Sequence, residues 1–176
     1  MIQYRKLNIG ELGPELFAHF IRRQVVTRCW RKEAGQWVIR NAPFIDDWSA
    51  QDYAFLVKCL RHTIAGGGLV YGAFDKGQLK GFVSVEPELF GGDNKYVDLS
   101  SIHVSEDMRH HGIGRALFEA AKAWARERGA RKLYICAHSA VESQAFYKSM
   151  GCVEAAEPEP HHVEKEPYDC QLECRV

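Results

Sequence analysis

Seven consecutive residues carry the densest chemistry in the chain: Arg109-His110-His111-Gly112-Ile113-Gly114-Arg115. Two arginines and two histidines surround two glycines where an apolar helical period begins. A helix start leaves backbone N–H groups without intrahelical partners, and the helix dipole adds partial positive charge there. Glycine at 112 and 114 would let a ligand approach that backbone without meeting a Cβ. Arg109 and Arg115 could add charge-assisted hydrogen bonds to phosphate oxygens. A diphosphate uses all of these features together; the alternative is an ordinary strand-to-helix turn. Other nucleotide cradles do not fit. The chain holds no Gly-x-x-x-x-Gly-Lys-Ser/Thr, and no Gly-x-Gly-x-x-Gly follows its first strand.

Any anion site must be local, because 23 Lys+Arg balance 23 Asp+Glu and no global field draws nucleic acid or an anionic membrane. A length of 176 residues suits one domain, 1–176, around a single core. The opening MIQYRKLNIGEL lacks the apolar segment of an export signal, and no run approaches membrane-span length. The cytoplasm is therefore the expected compartment, where Cys29, Cys59, Cys136, Cys152, Cys170 and Cys174 read as reduced thiols. Cys170 and Cys174, with His161 and His162 upstream, invite a metal reading. Their spacing is not a zinc knuckle, however, and alternation places both cysteines on one core-facing strand face. No metal is expected.

The elements that must position the 109–115 stretch follow from periodicity. IQYRKLN reads as a first strand, and helical spacing runs from Gly10 to about Arg31 and from Ser49 to Ala65. Ser49 is the N-cap of the second helix, with Asp52 at its third position. LVYGAFDKGQLKGFVSVE reads as a hairpin turning at Asp75-Lys76-Gly77. KYVDLSSIHV is a fourth strand. The helix after it places Ile113, Leu117, Ala121 and Trp124 on one face and ends at Gly129. KLYICAH, CVEAAE and YDCQLECRV are further strands, with a short helix over AVESQAFYKSMG and a Pro- and His-containing loop before the last strand. The strand-helix-strand unit at 95–138 suits a parallel pair. The fold class is α/β (α+β): a mixed, mostly antiparallel sheet of about seven strands with helices on both faces.

At these residues the sequence resembles a family. Arg109-x-x-Gly112-x-Gly114 matches the Gln/Arg-x-x-Gly-x-Gly/Ala signature of the GCN5-related N-acetyltransferases, GNAT, and ESQAFYKSMGC matches a second family motif after the fifth strand. The resemblance covers the element order from Met1 to Val176. It implies that acetyl-CoA is the cosubstrate. The amides of Arg109, His110, His111, Gly112, Ile113, Gly114 and Arg115 would then cradle its pyrophosphate. Ile102, His103 and Val104 would pair with the pantetheine arm through their main chain, and Ser143 would contact the coenzyme. Tyr147 matches the family's tyrosine near the coenzyme sulfur. The family commonly has Gly and Lys/Arg where His110 and His111 stand, and often an asparagine where His138, Ser139 and Ala140 lie.

The acceptor imposes its own demand. An amine with a lysine-like pKa of about 10.4 must lose a proton before it attacks. Asp98, six residues before Val104, and Glu86, closing the third strand, are the two carboxylates at positions from which the family draws its base. Alternation puts Asp98 on the face of Ser100, Ile102 and Val104. The leaving thiolate needs a proton donor, and Tyr147 is the candidate. Trp30, Trp37 and Trp48, in the helical region before the second strand, are either core or an aromatic wall of the acceptor pocket.

The expected function is acetyl transfer from acetyl-CoA to a primary amine by direct attack in a ternary complex. A small-molecule amine is the first choice of acceptor, a protein N-terminus or lysine the second. A non-catalytic acyl-CoA sensor on the same fold is the rival of another class. Neither nucleic acid nor membrane is expected as a partner, and a homodimer is left open.

Overall fold

The structure, a computed structural model, describes all 176 residues. The strands are β1 (Gln3–Lys6), β2 (Arg23–Glu33), β3 (Gln36–Asp47), β4 (Leu69–Asp75), β5 (Gln78–Val85), β6 (Tyr96–Val104), β7 (Lys132–Ala137), β8 (Val153–Glu154) and β9 (Cys170–Arg175). The helices are α1 (Ala50–Ala65), α2 (Ile113–Glu127), α3 (Val141–Ser149) and α4 (Pro160–Lys165). Seven strands make one sheet in the order β1-β4-β5-β6-β7-β9-β8, antiparallel except for β6 and β7, which run parallel across α2. β2 and β3 form a separate two-stranded hairpin.

Local chemistry explains the elements that the sequence announces. Ser49 Oγ accepts from the Asp52 N–H at 3.2 Å, and Asp52 Oδ2 accepts from the Ser49 N–H at 2.7 Å, a reciprocal capping box at the head of α1. The β4–β5 turn needs positive φ at two adjacent residues and finds it at Lys76 and Gly77, with φ 49° and 79°. α2 buries Ile113, Leu117, Phe118, Ala121 and Ala125 against Val83, Val85, Val97, Leu99 and Leu133 on one sheet face. On the opposite face Val57 and Leu60 of α1 join Phe17, Phe20, Val70, Phe74 and Phe82. Cys170 and Cys174 are buried on β9 beside Leu172, as free thiols.

The first helix expected from the sequence does not form. The stretch holds two 3-10 turns, Ile9–Glu11 and Pro14–Phe17, and then the start of the eleven-residue strand β2. Trp30 and Trp37 therefore sit on a hairpin and Trp48 just beyond it. The buried residues of β2, Val26 and Cys29, lie three apart, across the point where β3 carries one extra residue at Ala42–Pro43 and the pairing slips. That spacing imitates a helical period. The loop before β9 also holds the six-residue helix α4, capped by Glu159 with Pro160 at its first position.

Candidate active site

The parallel ladder between β6 and β7 is only three residues long, from Tyr96 opposite Lys132 to Asp98 opposite Tyr134. Beyond Asp98 the two strands separate. β6 continues to Val104 paired only with β5, and β7 pairs onward with β9. The side of β6 facing the gap thus offers backbone donors and acceptors with no strand beside them. A second bulge lies here, since the register slips between Ser84–Ser101 and Val85–Leu99. Ser100 is the extra residue. It turns Ile102 and Val104 onto the face of Val97 and Leu99, under α2, and sends His103 to the opposite face.

The gap opens into a cleft of about 940 Å³. Its walls include Ile102, His103, Val104, Arg109, His110, Gly112, Ile113, Gly114, Arg115, Ser143 and Tyr147. The strand segment, the 109–115 stretch and the second motif therefore meet in one place. His111 does not line the cleft; its Nδ1 lies 2.7 Å from the Arg109 carbonyl oxygen and braces the turn.

The head of α2 contrasts with that of α1. Its N-cap is Gly112, at φ 77°, with no side-chain cap and no acidic residue in the first turn. A Cβ at Gly112 would meet nothing within 4 Å, so its glycine serves backbone conformation. His110 also adopts a positive φ, 64°. Gly114 has a different setting: a Cβ there would lie 3.2 Å from the Phe146 ring, a tight contact. This glycine eases the packing of α3 on α2 and also lines the cleft. The Arg109 Nη2 donates to the Arg23 carbonyl at 2.6 Å, tying the cradle to β2. Arg115 is exposed.

The short helix α3 carries Ser143 and Tyr147 along the cleft wall. Ser143 Oγ accepts from Gln24 Nε2 at 3.3 Å, so β2 reaches across the gap. Tyr147 sits in an apolar surrounding that raises its hydroxyl pKa, with Cys152 and Asp169 nearby adding to the shift, and no protein group hydrogen-bonds it. Ser139 accepts from Arg31 Nη1 at 2.7 Å and is thereby occupied.

The two carboxylates singled out from the sequence separate. Asp98 is directed away from Ile102 and Val104, a correction that follows from the Ser100 bulge. Its Oδ2 lies 3.0 Å from His162 Nε2 on α4, and the ring stacks on Tyr134. The hydrogen bond to Asp98 is the main cause that pushes the His162 pKa up to about 10. Asp98 is therefore half of an ion pair outside the cleft. Glu86 does not line the cleft either, but it touches a residue that does: Ser100 Oγ donates to Glu86 Oε2 at 3.2 Å, and Thr63 Oγ1 donates to Oε1 at 2.8 Å. Burial raises the Glu86 pKa against these hydrogen bonds.

Sequence reasoning missed other cleft residues. Asp169, just before β9, lines the cleft, is bonded to the Cys136 thiol at 3.5 Å and has a pKa raised chiefly by burial. Arg22, Gln24 and Asp46 come from the hairpin and its flanks, whereas Trp48, the one tryptophan of the three weighed as a pocket wall that lines the cleft, was named from the sequence. None belongs to a motif; the hairpin's extent, misread as helix, was the only signal for them. No group of three or more His, Cys, Asp or Glu residues is placed to hold a metal.

Residues 29–152 match the model of the acetyltransferase (GNAT) family. The chain belongs to this family, whose members use acetyl-CoA and need no metal. Comparison with curated proteins finds no match. Among solved structures, nourseothricin acetyltransferase is 20% identical with a TM-score of 0.70, covering 99% of this chain and 98% of that one. A protein described as a streptothricin acetyltransferase from Bacillus anthracis str. Ames, in complex with acetyl coenzyme A, is 16% identical with a TM-score of 0.74 over 100% of both chains. PaiA N-acetyltransferase from Thermoplasma acidophilum, in complex with coenzyme A, is 17% identical with a TM-score of 0.62, over 100% of this chain and 99% of that one. These likenesses establish the shared fold. No helix is long and apolar enough to cross a membrane.

Proposed function

We propose that the chain transfers the acetyl group of acetyl-CoA to the primary amine of a small molecule, by direct attack while both substrates are bound. The observation that carries this reading is the single cleft in which the unpaired edge of β6, the uncapped head of α2 and Tyr147 meet. The residues fit the coenzyme. The α2 head supplies free N–H groups and a positive dipole end for a pyrophosphate, and Arg109 and Arg115 add charge. The main chain of Ile102, His103 and Val104 would align the pantetheine arm, and Ser143 stands on the facing helix. Acetyl-CoA, when bound, supplies an activated acetyl group as a thioester.

The protein's part is to orient, to polarise and to move two protons. A backbone N–H of β6 aimed at the carbonyl oxygen would stabilise the charge that develops there. Tyr147, whose raised pKa keeps it protonated at neutral pH, donates to the departing sulfur. Glu86 draws the amine proton out through the Ser100 hydroxyl, and the rise of its pKa on burial makes it a stronger base than an exposed carboxylate. Asp169 is a second reading for that role, favoured by its direct place on the cleft wall. The small-molecule acceptor is supported by the likeness to nourseothricin and streptothricin acetyltransferases; a protein N-terminus or lysine is the alternative.

Calorimetry with acetyl-CoA, followed by a thiol-release assay over a panel of amines, tests the proposal. Tyr147→Phe should bind acetyl-CoA normally and lose roughly a hundredfold in kcat. Glu86→Gln and Asp169→Asn separate the two proton routes, since only the variant in the true route should lose rate without losing coenzyme affinity. Binding with no turnover of any amine would support the sensor reading instead. Absence of acetyl-CoA binding would overturn the proposal.

A further inference from the structure

His103 was singled out for its main chain, yet its side chain is the more constrained part. Arg22, just before β2 and 8% exposed, donates from Nε to His103 Nδ1 at 3.1 Å. A guanidinium has donors only, so Nδ1 must be an acceptor and the ring proton must sit on Nε2. The ring cannot readily turn over, because Trp48 packs on it at a centroid distance of 4.8 Å and Phe82 at 5.5 Å. The charged groups around it are Arg22 and Arg109, with Asp46 behind Arg22. Burial, then these two cations, lower the His103 pKa to about 3, so the ring is neutral across the physiological range.

Two donors in this corner have no partner in the protein. His103 lines the cleft and its Nε2 has no hydrogen-bond partner in the protein, and Arg22 Nη1 is buried and unbonded. Both can only donate. Beside them Asp46, bonded through Oδ2 to Arg22 Nη2 at 3.1 Å, keeps its other oxygen free, and its side chain is 37% exposed. Two donor-only groups side by side call for acceptor oxygens, which a carbonyl or carboxylate supplies with two lone pairs on one atom and no competing proton, and the free carboxylate oxygen suits an ammonium. Because the Ser100 bulge sends His103 to the face opposite Ile102 and Val104, this corner belongs to the acceptor side of the gap.

We infer that His103, held by Arg22 as its Nε2–H tautomer, donates a hydrogen bond to a carbonyl or carboxylate oxygen of the acceptor, so that the acceptor is an aminoacyl-type amine. This rests on the acetyltransferase reading proposed above. Arg22 acts through His103 and is a positioning residue; His103 determines specificity.

Nitrogen NMR of histidine-labelled protein, with backbone amides observed in parallel, tests it. In the wild type, His103 should give one neutral Nε2–H signal set unchanged from pH 5 to 8. Titration in that range, or the Nδ1–H tautomer, would overturn the inference without any variant. In Arg22→Met the ring should show mixed tautomers or begin to titrate, and Arg22→Lys serves if the first variant does not fold. With acetyl-CoA the amides of residues 109–115 should shift while His103 Nε2–H stays still. Shifted amides together with a moved Nε2–H would give the donor to the thioester carbonyl, overturning the acceptor assignment while leaving the coenzyme reading intact. Unmoved amides would instead remove the coenzyme reading itself. Glycinamide added to the coenzyme A complex should move His103 Nε2–H, and ethylamine should not. Silence with glycinamide, or equal response to both, would overturn the aminoacyl class.

Discussion

The heads of α1 and α2 are built to opposite ends. At α1, Ser49 and Asp52 satisfy each other's backbone N–H groups, and an acid in the first turn complements the dipole. At α2, Gly112 offers no side chain, no acid follows, and Arg109 and Arg115 increase the positive charge instead. Both helices are long and amphipathic, so both would form. The difference is that one head is closed by the chain's own oxygens and the other is open, as the proposed coenzyme site requires. An uncapped helix start forgoes the stabilisation that a side-chain cap brings, and here it stands between two arginines.

Making the second head resemble the first is the most disruptive test. Gly112→Asp would place a capping carboxylate on the open N–H groups and oppose a pyrophosphate. Acetyl-CoA affinity measured by calorimetry should fall about a hundredfold, roughly 2.7 kcal/mol, although the residue must also hold a left-handed φ, costing about 1 kcal/mol of stability. Unchanged affinity would break the comparison.

An internal ion pair gives a reference in which charge is closed off away from both heads. His162, with its pKa raised to about 10 chiefly by Asp98, contributes stability fully present below its unfolded pKa of about 6.5. That contribution is lost as pH rises through 10. Melting temperatures from pH 6 to 10 should therefore decline by an amount worth roughly 2 kcal/mol, and His162→Gln should flatten the decline. An equal slope in the variant would remove His162 as its cause.

Ser49→Ala should cost about 1 kcal/mol of stability, a fall of roughly 2–4 °C in Tm, with acetyl-CoA binding unaltered. Any loss of binding would show that the two heads are not independent. The smallest effect is expected at exposed Arg115. Arg115→Ala should weaken acetyl-CoA about threefold at low salt and less at high salt, as for any screened surface charge.

Much of this contrast could be read before the structure. The Ser49 cap, the turn at Asp75-Lys76-Gly77, the parallel crossover through α2 and the cleft-facing motif all rest on local rules, which a sequence displays directly. Both larger misreadings came from bulges. One slip beside Val26 made β2 look helical, and another at Ser100 reversed the side to which Asp98 points. A bulge is one residue of extra backbone; nothing in side-chain type at Ser100 announces it, and at the other only Pro43, on the opposite strand, could have done so. Arg22, Asp46 and Asp169 were invisible for a different reason: they reach the cleft from segments 60 or more residues away from the motifs in sequence or from loops without a pattern. Only tertiary packing brings them there.

The three-residue ladder between β6 and β7 divides the sheet into a four-stranded and a three-stranded half, β1-β4-β5-β6 and β7-β9-β8. Across that seam the halves are joined by little backbone bonding and by the crossover through α2. A ligand lying in the gap, as proposed above, would stand where a strand is missing, and its main-chain-like groups would extend the ladder that the polypeptide leaves unfinished.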